Sequence, residues 1–188
     1  MSNNKLTLFP SEDWHKTETV ESYRTAIKRG KPSAPLKRLL KANQIRGTVL
    51  DYGCGRGDDL RHLINQGFDA IGYDPHWLPY EPSTLFDTIL CTYVLNVVSL
   101  DEENQILVKI SDLLVPGGTA FITVRRDIRG DKRTSRGRQR ETHLCFGGCV
   151  RPQGATATWH SACAWIRHNV KSLHHQRGSY EIYDFDKV

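Results

Sequence analysis

A chain of 188 residues with 26 Arg or Lys and 21 Asp or Glu can bury one sizeable core and leaves little room for a second independent domain. No stretch approaches the run of about 18 apolar residues that a membrane span needs. The opening MSNNKLTLFPSEDW carries no basic region followed by an apolar one, so a cytoplasmic location is expected. The five cysteines are odd in number, and Cys54 and Cys91 fall in segments read below as buried, which argues against a disulfide framework. The formal charge of +5 is concentrated. Residues 125–140, RRDIRGDKRTSRGRQR, hold eight Arg or Lys and two Asp, and the other 18 basic and 19 acidic residues leave the rest near neutral. Such a block attracts phosphates or serves as a solvated loop.

In chain order, residues 1–17 read as a loose arm. A helical pattern begins at Thr19, with Val20, Tyr23 and Ile27 on one face, and Gly30, Pro32 and Pro35 break it. Leu36, Leu39 and Leu40 mark a short second helix ending near Asn43. Thr48-Val49-Leu50 reads as a buried strand, followed by the glycine-rich turn Asp51-Tyr52-Gly53-Cys54-Gly55-Arg56-Gly57. Asp58 and Asp59 open a helix, where carboxylates suit the positive end of the dipole. Leu60, Leu63 and Ile64 give that helix its apolar stripe, and Gly67 stops it. Ala70 to Tyr73 is a second strand, ending at Asp74-Pro75.

A loop with Pro75, Pro79 and Pro82 leads to a third apolar strand beginning at Thr88. Ser99 and Glu102 form a capping-box pattern for a helix whose core face is Ile106, Leu107, Ile110, Leu113 and Leu114. Pro116-Gly117-Gly118 turns the chain into a strand over Thr119 to Val124. The alternation of strands and helices predicts an α/β fold with a parallel sheet. Glu141 to Phe146 fits a strand, residues 147–170 show no clean period, and Ser179 to Phe185 alternates as a final strand. The expected organisation is an N-terminal arm with helices over 1–47 and a main domain over 48–188, with an irregular insertion at 147–176.

The first strand, its glycines and the next helix form a dinucleotide-type βαβ unit. The spacing Gly53-x-Gly55-x-Gly57 differs from the G-x-G-x-x-G of nicotinamide and flavin sites. Those sites set a pyrophosphate on the helix N-terminus, where Asp58 and Asp59 would here oppose it. A cofactor carrying a sulfonium and an ammonium suits the position better, and Asp51 adds another negative charge. Asp74, 21 residues after Gly53, stands where an acid accepts hydrogen bonds from ribose hydroxyls.

VLDYGCGRGDD resembles motif I of the class I S-adenosylmethionine-dependent methyltransferases, GYDP the acidic end of their second strand, and LLVPGGTAFITV their turn before strand five. Residues 22–127, with YRTAIKRGKPSAPLKRLL and YVLNVV, are most similar to the methyltransferases associated with DNA phosphorothioation gene clusters and to phage-borne relatives. The resemblance implies a Rossmann-like fold, a mostly parallel seven-stranded sheet with helices on both faces and a closing antiparallel hairpin. It also implies S-adenosylmethionine as cofactor, with Gly53, Gly55 and Gly57 lining it and Asp74 on its ribose. Cys91-Thr92-Tyr93 would lie beside its methionine part, and Asn96 near the substrate mouth. Residues 145–176 do not resemble that group's tail.

Methyl transfer requires a positioned nucleophile and, where needed, removal of a proton. Tyr93 and Asn96 are the candidate catalytic residues, although Tyr93 could simply pack and Asn96 could simply satisfy a local backbone group. Cofactor contacts are expected from Asp51, Gly53, Cys54, Gly55, Gly57, Asp74, Pro75 and Thr92. The chain lacks the proline pair of enzymes that methylate exocyclic amines of DNA bases. Cys91 has no preceding proline, unlike the nucleophile of cytosine-C5 enzymes, and reads as a core thiol. Arg125, Arg126, Arg129, Lys132 and Arg133 are the expected nucleic-acid contacts, and Trp77 and Tyr80 could stack on a base or cap the cofactor's adenine. Arg24, Lys28 and Arg29 could close over the cofactor or contact a phosphate. Cys145, Cys149, His160, Cys163 and His168 do not match a standard zinc spacing, so no metal is expected. The leading reading is a methyltransferase acting on DNA or RNA. The alternatives are a small-molecule or protein methyltransferase and a non-catalytic cofactor-binding sensor or scaffold in a defence or phage system.

Overall fold

The structure, a computed structural model, describes residues 22–125, 127, 132–134, 137–139, 170–175 and 180–186. A 3-10 turn, Ser22–Thr25, precedes α1, Ala34–Lys41. Ser33 caps α1 by accepting the Leu36 amide at 3.2 Å, Pro35 sits in its first turn, and Asn43 takes a left-handed φ of 51° just past its end. Then follow β1 (Val49–Tyr52), α2 (Asp58–Asn65), β2 (Ala70–Tyr73), β3 (Phe86–Thr92), α3 (Leu100–Leu113) and β4 (Leu114–Arg125). Short β5 (Lys132–Thr134) and β6 (Gly137–Gln139) pair with each other, and β7 (Val170–His175) and β8 (Tyr180–Asp186) close the main sheet.

That sheet runs β2-β1-β3-β4-β8-β7. The first four strands are parallel, β8 is antiparallel to β4, and β7 is antiparallel to β8. The period-2 alternation sorts the core onto two faces. Leu50, Ile89, Cys91, Ala120, Ile122 and Val124 pack with Leu107, Ile110 and Leu113 of α3. Val49, Leu90 and Phe121 pack on the other face with Leu36 and Leu39 of α1 and Leu63 of α2. The fold is the expected Rossmann-like α/β class, with helices on both faces.

The differences from expectation have local causes. Among the described residues the main sheet has six strands, not seven. Between β2 and β3 there is only an isolated Asp74–Leu78 bridge, because Pro75, Pro79 and Pro82 remove the donors a strand would need. The Pro116-Gly117-Gly118 segment is a bulge inside a longer β4 rather than a turn before it. Phe86 pairs with Leu114 but Thr88 with Thr119, and a Cβ on Gly118 would come within 3.0 Å of the Phe86 carbonyl. Strand β7 begins inside the span read as an insertion. The predicted strand over Glu141–Phe146 lies outside the described residues. The capping box holds: Ser99 Oγ accepts the Glu102 amide at 3.2 Å, and the Ser99 amide donates to Glu102 Oε2 at 2.7 Å.

Candidate active site

The chain leaves β1 for β2 on one side and returns to β3 on the other, so the strand order switches between β1 and β3. In α/β sheets ligands collect in the crevice at such a switch, beyond the carboxyl ends of the strands. Gly53, Gly55 and Gly57 turn the chain there with φ of 72°, 53° and 72°, a region that favours glycine. A Cβ on Gly53 would stand 2.3 Å from Val94 Cγ2, so no side chain fits where the loop meets the residues after β3. Gly57 is also the N-cap of α2 and offers no side chain to close it.

Three amides hold the Asp74 carboxylate. Gly55 donates to Oδ2 at 3.0 Å, and His76 and Trp77 each donate to Oδ1 at 2.9 Å. Asp74 thereby clamps the glycine loop to the turn after β2, and a carboxylate with about four lone-pair sites keeps room for an outside donor. Asp51, at 2 % exposure, lies beneath the loop with no hydrogen-bond partner on Oδ2. Burial, reinforced by the Asp59 carboxylate, pushes its carboxyl up to about 8.

Asp58 and Asp59 do open α2, but their partner is the segment 22–33 before α1, an N-terminal strap. Asp58 Oδ2 accepts the Arg29 amide at 2.7 Å, and Asp58 Oδ1 pairs with Arg61. Asp59 Oδ1 accepts the Ser33 amide at 2.7 Å, and Oδ2 lies 3.5 Å from Arg29. Burial opposes ionisation of Asp58, yet the Arg29 amide and Arg61 hold its carboxyl below the usual carboxylate value. The strap is fastened at two further points: Tyr23 stacks on His76 with centroids 4.0 Å apart, and Arg56 Nε donates to the Ala26 carbonyl at 3.2 Å.

These elements enclose a cavity of about 690 Å³. Its floor includes Gly53, Cys54 and Gly55, with Asp74 and Pro75 on one side and Thr92, Tyr93 and Asn96 on the other. The strap residues Tyr23, Ala26 and Arg29 cover it, Arg125 stands at its edge, and Glu81 and Lys109, 3.6 Å apart, lie at its α3 end. Asp51 and Gly57 are not on its wall. Tyr93 takes a φ of 64°, uncommon for a bulky side chain and a mark of a site that holds strain. Its ring meets Tyr180 edge-on at 6.3 Å, and burial, then Tyr180, pushes its phenol up to about 12. Asn96 is 1 % exposed, and its Oδ1 accepts the Arg125 amide at 2.7 Å, which fixes the end of β4 against the loop after β3.

The sequence signature of a family described as a methyltransferase domain matches residues 23–175. The chain belongs to that methyltransferase family. An uncharacterized methyltransferase from Alkaliphilus oremlandii (strain OhILAs) is 26% identical over 134 residues, covering 60% of this chain and 58% of that protein; the chain thus spans little more than half of that relative. Among solved structures, the 1,6-didemethyltoxoflavin-N1-methyltransferase of Burkholderia thailandensis, with its substrate and S-adenosylhomocysteine bound, superposes with a TM-score of 0.57 at 18% identity over 94% of this chain and 83% of that one. An amino pentose methyltransferase from Micromonospora echinaspora with S-adenosylmethionine bound gives 0.53 at 13% identity over 96% and 98%. The domain is of the S-adenosylmethionine-dependent type.

The residues present fit that cofactor. The loop whose Gly53 admits no Cβ and the partly free Asp74 carboxylate offer, in order, a close backbone approach and an acceptor for ribose hydroxyls. Cys54, with its thiol pushed up to about 12 by burial and Asp51, and Cys91, buried and pushed higher still for the same two reasons, are uncharged packing groups. Trp77 gives one ring face to the Arg56 guanidinium at 4.0 Å, and Tyr80 is 89% exposed.

A cover by the segment of Arg24, Lys28 and Arg29 was among the expectations; what the sequence did not show is that Asp58 and Asp59 of α2 fasten it. Arg125 is described, with its guanidinium held by Asp127. Lys132 and Arg133 are described as parts of β5, whereas Arg126, Arg129 and the five C-terminal Cys and His residues considered for zinc lie outside the described residues. No helix among the described residues is long and apolar enough to cross a membrane.

Proposed function

We propose that this domain transfers the methyl group of S-adenosylmethionine to a nucleophile on a nucleic acid. The observation that carries the reading is the position of the β5–β6 hairpin. This hairpin comes from the one strongly basic stretch of the sequence and rests against the Ser22–Thr25 turn that lines the cavity. A concentration of positive charge beside the opening favours a polyanionic acceptor, and steers it there.

When bound, S-adenosylmethionine supplies an electrophilic methyl on a sulfonium whose departure leaves a neutral thioether. The protein's part is to bind, orient and exclude water. Asp74 and the Gly53–Gly55 backbone would hold the ribose and methionine portions, and the strap would cover them. Tyr93 keeps its proton at neutral pH, so its Oη orients the acceptor as an uncharged hydrogen-bonding group rather than acting as a base. Asn96 fixes the Arg125 backbone at the mouth.

The test is transfer of labelled methyl from S-adenosylmethionine into fractionated cell extract, with nuclease and protease controls and Asp74→Ala alongside. Label in a nuclease-sensitive fraction that is lost with Asp74→Ala is expected. Label confined to a nuclease-resistant, low-molecular-weight fraction would replace the nucleic acid with a small molecule. Cofactor binding without label in any fraction would favour a sensor.

A further inference from the structure

A second cavity, of about 560 Å³, lies across the Gly55-Arg56 segment from the first and shares Gly55, Arg56 and Asp58 with it. Its charged lining is Lys28, Lys31, Arg56 and Arg61 against Asp58 alone, with His62 alongside. Arg56 and Asp58 also border the first cavity, but Lys28, Lys31 and Arg61 do not. We infer that the cavity binds phosphodiester groups of the nucleic-acid acceptor, an inference that rests on the function proposed above.

The two arginines are set in place before any ligand arrives. The Arg56 guanidinium lies over the Trp77 ring, and its Nε is fixed on the Ala26 carbonyl. Arg61 Nη1 donates to the Arg56 carbonyl at 2.8 Å while Nη2 bonds Asp58. Asp58 is therefore already committed, and its charge does not offset the remaining cations. A guanidinium fixed in this way forfeits little rotamer freedom on meeting a phosphate, whose oxygens match its planar fork. Lys28 and Lys31 are exposed on the strap, and no ion pair to either is found among the described residues.

Continuity favours a polymer over a free phosphate. The strap links the basic hairpin, against Ser22–Thr25, to Lys28 and Lys31 at this cavity. From Thr25 to Lys31 the chain reaches at most about 20 Å, a span that a few nucleotides cover at about 3.4 Å each. The acceptor's reacting base would enter the first cavity while its backbone follows this track to the second.

The test is fluorescence anisotropy of short single-stranded and duplex oligonucleotides against salt, in saturating S-adenosylhomocysteine, for the full chain, Lys28→Gln/Lys31→Gln and Lys37→Gln/Lys41→Gln. The second pair removes the same charge from α1, away from the cavity. The Lys28/Lys31 variant is expected to lower the slope of log affinity against log salt by about one to two. Between about 50 and 200 mM salt the parent would then lose up to roughly tenfold more affinity than the variant. The α1 variant keeps the parental slope, and all three bind S-adenosylhomocysteine alike. Equal slopes in the two variants would overturn the proposal. If the parent binds no oligonucleotide, pyrophosphate titrated calorimetrically decides between the two readings. Binding lost only in Lys28→Gln/Lys31→Gln would leave a phosphate site and remove the nucleic acid, and no binding at all would remove the site.

Discussion

Two carboxylates stand at opposite ends of the β1–β3 pair and are treated in opposite ways. At the lower end, Asp87 Oδ2 accepts both the amide and the hydroxyl of Thr48 at 2.8 Å, and Thr88 Oγ1 donates to the Arg46 carbonyl at 2.7 Å and accepts the Arg46 amide at 3.1 Å. The Thr48 amide and hydroxyl hold the Asp87 carboxyl below its usual value. At the upper end, Asp51 is buried with an unpartnered oxygen and a carboxyl pushed up to about 8. Thr123 Oγ1, near the upper end of β4, is also buried without a partner. An unpaired buried polar group costs free energy that a paired one does not. The lower end therefore completes the fold, and the upper end, next to the cavity, leaves buried polar groups without partners.

The comparison breaks most visibly at Asp74, the upper-end carboxylate that serves fold and ligand together. Asp74→Ala removes the acceptor of three amides as well as the proposed ribose contact. Bonds to a charged acceptor contribute about 1.5–3 kcal/mol each, so S-adenosylhomocysteine affinity should fall by about a hundredfold or more, measured by calorimetry. A variant that binds within a few fold of the parent would show that the loop holds the cofactor without this clamp.

Asp51 and Asp87 should give opposite pH signatures. Folded Asp51 keeps its proton to about pH 8 whereas its unfolded counterpart releases it near 3.8. Between those values the folded state binds more protons, so stability falls as pH rises. Asp51→Asn, which cannot titrate, should gain Tm on the parent progressively from about pH 4 to about pH 8. Asp87, with its carboxyl lowered from 3.8, stabilises above that value, and the contribution fades as pH falls. Asp87→Ala should lower Tm by a few degrees at neutral pH, by less in acid, and leave cofactor affinity unchanged. Thermal unfolding across pH for both variants checks the pair; parallel profiles would mean that the two ends are not differently built.

The upper end was the more legible in sequence. Glycine spacing and an acid at the end of the second strand are local signals whose geometry follows from backbone sterics, and Gly53, Gly55 and Asp74 line one cavity. The partners of Asp58 and Asp59 were not legible. Helix-dipole reasoning accounts for acids at that terminus but not for what they face, and the answer, the amides of Arg29 and Ser33, comes from 29 and 26 residues away. Asn96 was similar. Its polarity near the mouth was readable, but its bond to the Arg125 amide spans 29 residues and depends on β3 and β4 being neighbours. The loop of Pro75, Pro79 and Pro82 was legible as a loop, whereas the seventh strand, which the resemblance implied, is not found among the described residues.

The smallest expected effect on stability, and the sharpest on function, is at Tyr93. A left-handed φ of 64° on a residue with a Cβ costs roughly 1–2 kcal/mol, and glycine would relieve it. Tyr93→Gly also loses the edge contact with Tyr180, so the two changes oppose each other and Tm should move by a few degrees at most. If the strain is kept only for packing, turnover of the folded variant should survive. If it aims the phenol at the acceptor, Tyr93→Phe, which keeps ring and backbone, should hold S-adenosylhomocysteine affinity and Tm while kcat falls by roughly ten- to a hundredfold, the loss typical of a misoriented reactant. A Phe variant at parental kcat with an impaired Gly variant would assign the role to the ring and leave Oη without one. Because burial holds the phenol near 12, the parent's kcat should also show no Tyr93 ionisation at neutral pH, and a basic limb well below that value would have to come from another group.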